Sequence, residues 1–259
     1  MQFTTNYHTH TARCGHARGS DREMVQAAVD AGIRILGMAD HCPYPGVSGP
    51  AAGVRMTLEQ TRGYFDSFAA LRDAFAGQVE LHIGFEAEYF PGLFEGMLDF
   101  LADYPCEYLI LGQHFDSGDG GWYYGRPTDD EAVLARYVEQ VIRGIESRRF
   151  AYVAHPDLCR FVGDAAVERK HYLALCQAAR EYNLPLEVNL LGYRDRRGYP
   201  RESFFRLAQE VGNTLILGVD AHAPEQFADP AVMDDCCRWA AQFGLPVAAT
   251  IPMGKGNES

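Results

Sequence analysis

Short apolar runs and amphipathic stretches alternate along the chain. The runs at 3–8 (FTTNYH), 33–40 (IRILGMAD), 79–86 (VELHIGFE), 107–113 (EYLILGQ), 151–155 (AYVAH), 186–190 (LEVNL) and 214–220 (TLILGVD) read as strands, with a short eighth candidate at 246–249 (PVAA). Between them, apolar residues recur at helical spacing around 20–31, 57–76, 129–147, 165–181, 201–211 and 230–243. Three helix starts carry capping signals: Ser20 with Glu23, Thr57 with Gln60, and Thr128 ahead of an acidic first turn. Strand–helix alternation of this kind predicts an α/β fold of parallel strands joined by crossover helices, and seven or eight units predict a closed barrel. No repeat or long Pro/Gly linker interrupts the pattern, so one domain is expected over residues 1–259, with GKGNES as a frayed tail. The loop SGDGGWYYGRP (117–127) carries aromatics that a plain connection does not need.

Composition narrows the setting. A chain of 259 residues that is 47% hydrophobic can bury a sizeable core. A formal net charge of −12 argues against nucleic acid or an anionic membrane as partner, because phosphate would be repelled over most of the surface. Any anionic ligand must then be attracted locally. The opening MQFTTNYHTH lacks a basic region followed by an apolar run, and no segment offers about 18 uncharged apolar residues. A cytoplasmic location is expected. Seven cysteines, an odd number in a chain too long to need disulfide staples, are expected to be thiols. The oligomeric state is not readable.

The histidines fall at one level of this map. His8 and His10 end the first strand, His41 follows the second, His114 the fourth, His155 the fifth and His222 the seventh, with His16 in the first loop; Glu86 closes the third strand and Asp220 the seventh. In a parallel barrel these strand ends open on one rim, where such folds place their chemistry. Imidazoles gathered so densely leave ring nitrogens competing for partners, whereas divalent metal ions use those lone pairs. His82, inside a strand, reads as a packed or hydrogen-bonded residue, and His171, on a polar helix, as solvated. A structural zinc knuckle of Cys14, His16, His41 and Cys42 is the competing arrangement, but it leaves His8 and His10 without a task. Cysteine-phosphatase loops, serine nucleophile motifs and Gly-rich phosphate loops are absent from the sequence.

Read together, HTH (8–10), CGHA (14–17), ADHCP (39–43), GFEAEY (84–89), GQHF (112–115), AHPDL (154–158), EVNLLGYRDRRGYP (187–200) and GVDAHAP (218–224) resemble the polymerase-and-histidinol-phosphatase (PHP) family, most closely its histidinol-phosphate phosphatase branch. The resemblance implies a distorted (βα)7 barrel with three divalent ions, zinc foremost and manganese or iron as alternatives, at the strand C-terminal face. It implies one ion held by His8, His10, Glu86 and Asp220, a second by Glu86, His114 and His155, and a third by His16, His41 and His222, with Glu86 as a bridge.

Three such ions against two carboxylates and one hydroxide leave a centre of about +3, an anion trap. The expected reaction is hydrolysis of a phosphomonoester by a metal-bridging hydroxide, with Glu86, Asp220 and His222 at the reacting centre and Asp220 orienting the nucleophile or taking its proton. Arg160 and Arg197 are the candidate phosphate contacts, ahead of Arg194 and Arg196. Asp116 and the aromatic loop are candidates for the imidazole and ammonium of histidinol phosphate. The substrate rests on the resemblance, since any phosphomonoester could use the same metals. The alternatives are another PHP small-molecule phosphoesterase, a PHP nuclease, and an inactive metal-binding interaction module.

Overall fold

The computed structural model describes residues 3–47, 54–118 and 120–253. Four parallel strands, β1 (Thr5–Asn6), β2 (Ile35–His41), β3 (Glu80–Ala87) and β4 (Tyr108–Leu111), pair in sequential order. β5 (Leu186–Asn189) pairs with β6 (Leu215–Gly218). The expected strand at 151–155 is reduced to single bridges from Val153 to Leu111 and to Leu186. Its backbone still keeps ladder bonds on both sides: Ala154 N–H donates to Leu111 O at 2.9 Å, and Glu187 N–H to Val153 O at 2.9 Å. The ring closes where Thr9 bridges Ala221, His10 N–H donating to Ala221 O at 2.8 Å. The result is a distorted barrel in which the 246–249 candidate contributes only a bridge, at Val247.

Alternation along the strands separates two apolar clusters. Leu109, Leu111, Val153, Leu215 and Leu217 face outward into the main core under the helices. Tyr108, Ile110, Tyr152, Ala154 and Ile216 pack with Tyr7 and Ala39 in the smaller second cluster, on the other face. The helices are α1 (Asp21–Asp30), α2 (Gln60–Ala74), α3 (Phe94–Leu101), α4 (Glu131–Glu146), α5 (Ala165–Glu181), α6 (Leu190–Asp195), α7 (Glu202–Val211) and α8 (Pro230–Ala241). α4 buries Leu134, Tyr137, Val138, Val141 and Ile145, the stripe its 3.6-residue period requires.

Capping was only partly as the sequence suggests. Ser20 and Glu23 form the reciprocal box on α1, worth about 1 kcal/mol. Thr57 N–H reaches the Gln60 side chain, but Glu59 precedes α2 as its cap and makes no side-chain cap bond. On α4 the cap is Asp130, whose carboxylate accepts from Ala132 N–H, not Thr128. α3 and α6 lie outside the expected helices: α3 is a single eight-residue stretch after Pro91–Gly92, and α6 begins directly on β5, capped by the Asn189 side chain at Gly192 N–H. No helix among the described residues is long and apolar enough to cross a membrane, and all seven cysteines are free thiols.

Candidate metal centre

Parallel register places the chemistry. β2 pairs with β3 so that His41 lies opposite Glu86. The closing bridge brings the segment carrying His8 and His10 beside the one carrying Asp220. Glu86 is the hub, only 2% exposed. Its Oε1 lies 2.7 Å from His155 Nε2, 3.5 Å from His114 Nε2 and 3.6 Å from His8 Nε2; its Oε2 lies 3.0 Å from His41 Nδ1 and 3.6 Å from His10 Nε2. Asp220 Oδ1 is 3.0 Å from His10 Nε2, 3.3 Å from His8 Nε2 and 3.4 Å from His222 Nδ1. His222 Nε2 and His16 Nε2 are 3.1 Å apart. All nine candidate ligands from the sequence therefore meet in one cluster, with His16 at its exposed edge.

Among the described residues, the buried side-chain atoms without a hydrogen-bond partner include His8 Nε2, both ring nitrogens of His10, Glu86 Oε2, His155 Nδ1 and Asp220 Oδ1. Each such atom costs about 1–3 kcal/mol when left unpaired, and the four that face one another, His8 Nε2, His10 Nε2, Glu86 Oε2 and Asp220 Oδ1, call for a common partner. Nitrogen and carboxylate donors around shared points suit divalent ions. Close donor triplets include His8–His10–Asp220, His8–Glu86–His155 and His10–His41–His222. These sets overlap at His8 and His10, so the donors form one continuous cluster and not separate sites. Cys14 lies near His16 and His222, while Cys42 donates to the carbonyl of Pro43, so the zinc-knuckle set does not assemble.

The electrostatics divide the candidate ligands into two groups. Burial opposes the charge on Glu86, but His114, His8 and His41 outweigh it and hold the carboxyl well below its usual range; His8, His10 and His222 do the same for Asp220. Burial and the nearby His10 push His41 well down and His222 down to about 3, which favours the neutral imidazole that a metal ion binds. His8 and His10 go the other way. Burial is outweighed by Asp220, Glu187 and Glu86 at His8, and by Asp220 and Asp40 at His10, which rises to about 9.

Local backbone supports the placement. His155 and Asp220 adopt left-handed φ values of 27° and 55°, a strain of about 1–3 kcal/mol each that clusters at functional sites. Gly112 leaves room for Glu86, since a Cβ there would run into the carboxylate. Gly112→Ala is expected to lower metal content and to destabilise the fold by about 1–3 kcal/mol, as overpacking does. Metal analysis and urea unfolding check this; wild-type values in both would show that Glu86 can move freely.

A cleft of about 240 Å³ opens on the cluster. Phe115, Tyr123, Leu158, Leu191 and Tyr199 also line it, with Arg197 the one Lys or Arg among its described lining residues. Tyr123 reaches it because Phe115 and Tyr123 pair as an antiparallel bridge that folds the aromatic loop back. Arg160 is not among the lining residues. Its N–H and carbonyl pair with Tyr124 and Thr128, and its exposed side chain passes by Gly198. Asp116 is also elsewhere: its carboxylate accepts from Trp122 N–H, Ser117 Oγ and Arg136, and borders a separate cavity. His82 is hydrogen-bonded to Glu107 and Glu80, as expected for a residue outside the site. His171 is paired with Glu131 and not simply solvated. Sequence reasoning missed Tyr199 and three carboxylates behind the histidines, Asp40, Glu88 and Glu187, all nearly inaccessible. The available signal was charge inside strand-end runs that are otherwise apolar.

The PHP domain family model matches residues 6–190. A probable histidinol-phosphatase of Deinococcus radiodurans is 31% identical over 86% of this chain and 89% of its own. A probable phosphatase of Clostridium botulinum is 36% identical over 95% and 88%. The crystal structure of histidinol phosphate phosphatase from Lactococcus lactis, complexed with zinc, L-histidinol and phosphate, superposes with a TM-score of 0.76 over 98% of this chain and 99% of that one, at 18% identity. The putative histidinol phosphatase of Listeria monocytogenes gives 0.72 over 86% and 96%, at 22% identity. At those identities the structural likeness concerns the fold.

Proposed function

The chain belongs to the PHP domain family and is a histidinol-phosphatase-like phosphatase, and from that premise we propose that it hydrolyses L-histidinol phosphate to L-histidinol and phosphate, acting as one domain over residues 1–259. The carrying observation is the cluster around Glu86, with five imidazoles within 3.6 Å of its carboxylate and with His8 Nε2, His10 Nε2, Glu86 Oε2 and Asp220 Oδ1 orphaned where they face one another. His8, His10, His16, His41, Glu86, His114, His155, Asp220 and His222 would hold three divalent ions, with zinc the first choice for this donor set. Bound there, the ions supply positive charge for the phosphoryl oxygens and lower the pKa of an attacking water.

The chain's own groups do the rest. Asp220 keeps Oδ2 on Asn189, 3.1 Å away, and turns Oδ1 toward the histidines, where it can orient the attacking water and take its proton. Arg197 donates to the phosphate. Tyr123 and Tyr199 offer ring faces to the imidazole of the leaving alcohol, and the apolar walls limit competing water.

A phosphate-release screen over phosphomonoesters, including histidinol phosphate and nitrophenyl phosphate, tests the assignment. The highest kcat/KM is expected for histidinol phosphate; a higher value for another ester would reassign the chain to a different small-molecule substrate. Arg197→Ala should lower kcat/KM by about 2–3 kcal/mol, roughly 30- to 150-fold, with partial rescue by lysine. Arg160→Ala should stay within about twofold of wild type, because a charge outside the cleft makes no bond that strengthens in the transition state. Equal losses in the two variants would refute the placement of phosphate at Arg197.

A further inference from the structure

Three buried carboxylates stand behind the candidate ligands, each facing the outer nitrogen of one imidazole. Glu187 Oε1 is 2.8 Å from His8 Nδ1, Asp40 Oδ1 is 3.6 Å from His10 Nδ1, and Glu88 Oε1 is 3.6 Å from His114 Nδ1. In all three rings Nε2 points the other way, toward Glu86 or Asp220.

Glu187 is the most connected of the three. Its second oxygen accepts from His155 backbone N–H and from Asn189 Nδ2, both at 2.8 Å, and the same Asn189 nitrogen lies 3.1 Å from Asp220 Oδ2. One inaccessible carboxylate thus touches the segments that carry His8 and His155 and, through one amide, Asp220. Gly218 is the matching gap, since a Cβ there would collide with the Glu187 carboxylate. A buried anion costs several kcal/mol unless its lone pairs are occupied, and here both oxygens are used.

An imidazole can offer Nε2 as a lone pair only if its proton sits on Nδ1, and an anion on that proton fixes the tautomer, aims the ring and makes Nε2 a stronger donor. We propose that Glu187 is the positioning residue of the centre: it locks His8 as the Nδ1–H tautomer and, through Asn189, sets the angle of Asp220. Ion affinity at the His8–His10–Asp220 corner therefore depends on the charge of Glu187. This role rests on the metal-centre reading above.

Two measurements test it, neither relying on turnover. In the zinc-loaded wild-type protein, side-chain nitrogen NMR should assign His8 as Nδ1–H; an Nε2–H assignment overturns the proposal without any variant having to fold. In Glu187→Gln, which keeps shape and an acceptor oxygen but not the charge, chelator competition should show one ion weakened by roughly 10- to 100-fold and the remainder unchanged. The visible spectrum of the cobalt-substituted variant should change with it. Wild-type affinity for every ion in Glu187→Gln refutes the role while leaving the centre intact, whereas a wild-type protein that takes up no divalent ion overturns the centre itself and this role with it.

Discussion

Asp220→Asn is expected to keep at least two ions per chain and to bind phosphate, while kcat falls by roughly 10²- to 10⁴-fold, the range for a lost general base. Asparagine preserves the shape and one oxygen toward Asn189, so the backbone at φ 55° has no new reason to move. What disappears is the negative charge beside His8 and His10, and the only oxygen of this residue turned into the cluster that can accept a proton. The loss should therefore appear in kcat more than in KM, since an interaction made only in the transition state leaves ground-state binding intact. Metal analysis, phosphate inhibition and steady-state kinetics on one preparation separate these effects. Near-normal turnover by the ion-loaded variant would mean that neither charge nor basicity at Asp220 is needed, and the proton-acceptor role assigned to it here would be wrong.

The centre was legible because strand ends are legible. An apolar run that stops at a histidine, repeated around the chain, places its polar residue at the C-terminal end of a strand, and parallel pairing then carries all such ends to one rim. His41 and Glu86, far apart in sequence, become register partners for this reason alone. Direction within a loop has no such rule. Asp116 and Arg160 lie as near to rim motifs as Arg197 does, but the lone pairs of Asp116 are spent on Trp122, Ser117 and Arg136, and Arg160 is not among the residues that line the cleft. The outer carboxylates were hidden for a related reason: Glu187 and Asp40 look like interruptions of apolar strands until the ring nitrogens they face are in place. The fifth strand failed as a regular element because its ladder is shared between β4 and β5 over only a few residues before His155 turns into the left-handed region.

Glu86→Gln should fail differently from Asp220→Asn, by losing ions. Five imidazoles converge on the Glu86 carboxylate, and an amide there would remove the shared charge and aim an N–H donor at lone pairs that must stay free for a cation. Metal content is expected to drop by at least one ion per chain relative to wild type, with activity reduced by a factor on the order of 10³ or more, since ions held there would supply the positive charge for the reacting phosphoryl oxygens. Exhaustive chelation of the wild-type protein should abolish activity in the same way while leaving far-UV circular dichroism and cooperative unfolding in place. Two features support a folded ion-free chain. The main apolar cluster is large and lies between the sheet and its helices, unlike a small zinc domain whose metal is its core. Raised proton affinity at His8 and His10 can also balance the charges of Glu86 and Asp220 when no cation does so. Unfolding on chelation would make the ions structural, and full metal content in Glu86→Gln would remove Glu86 from the middle of the centre.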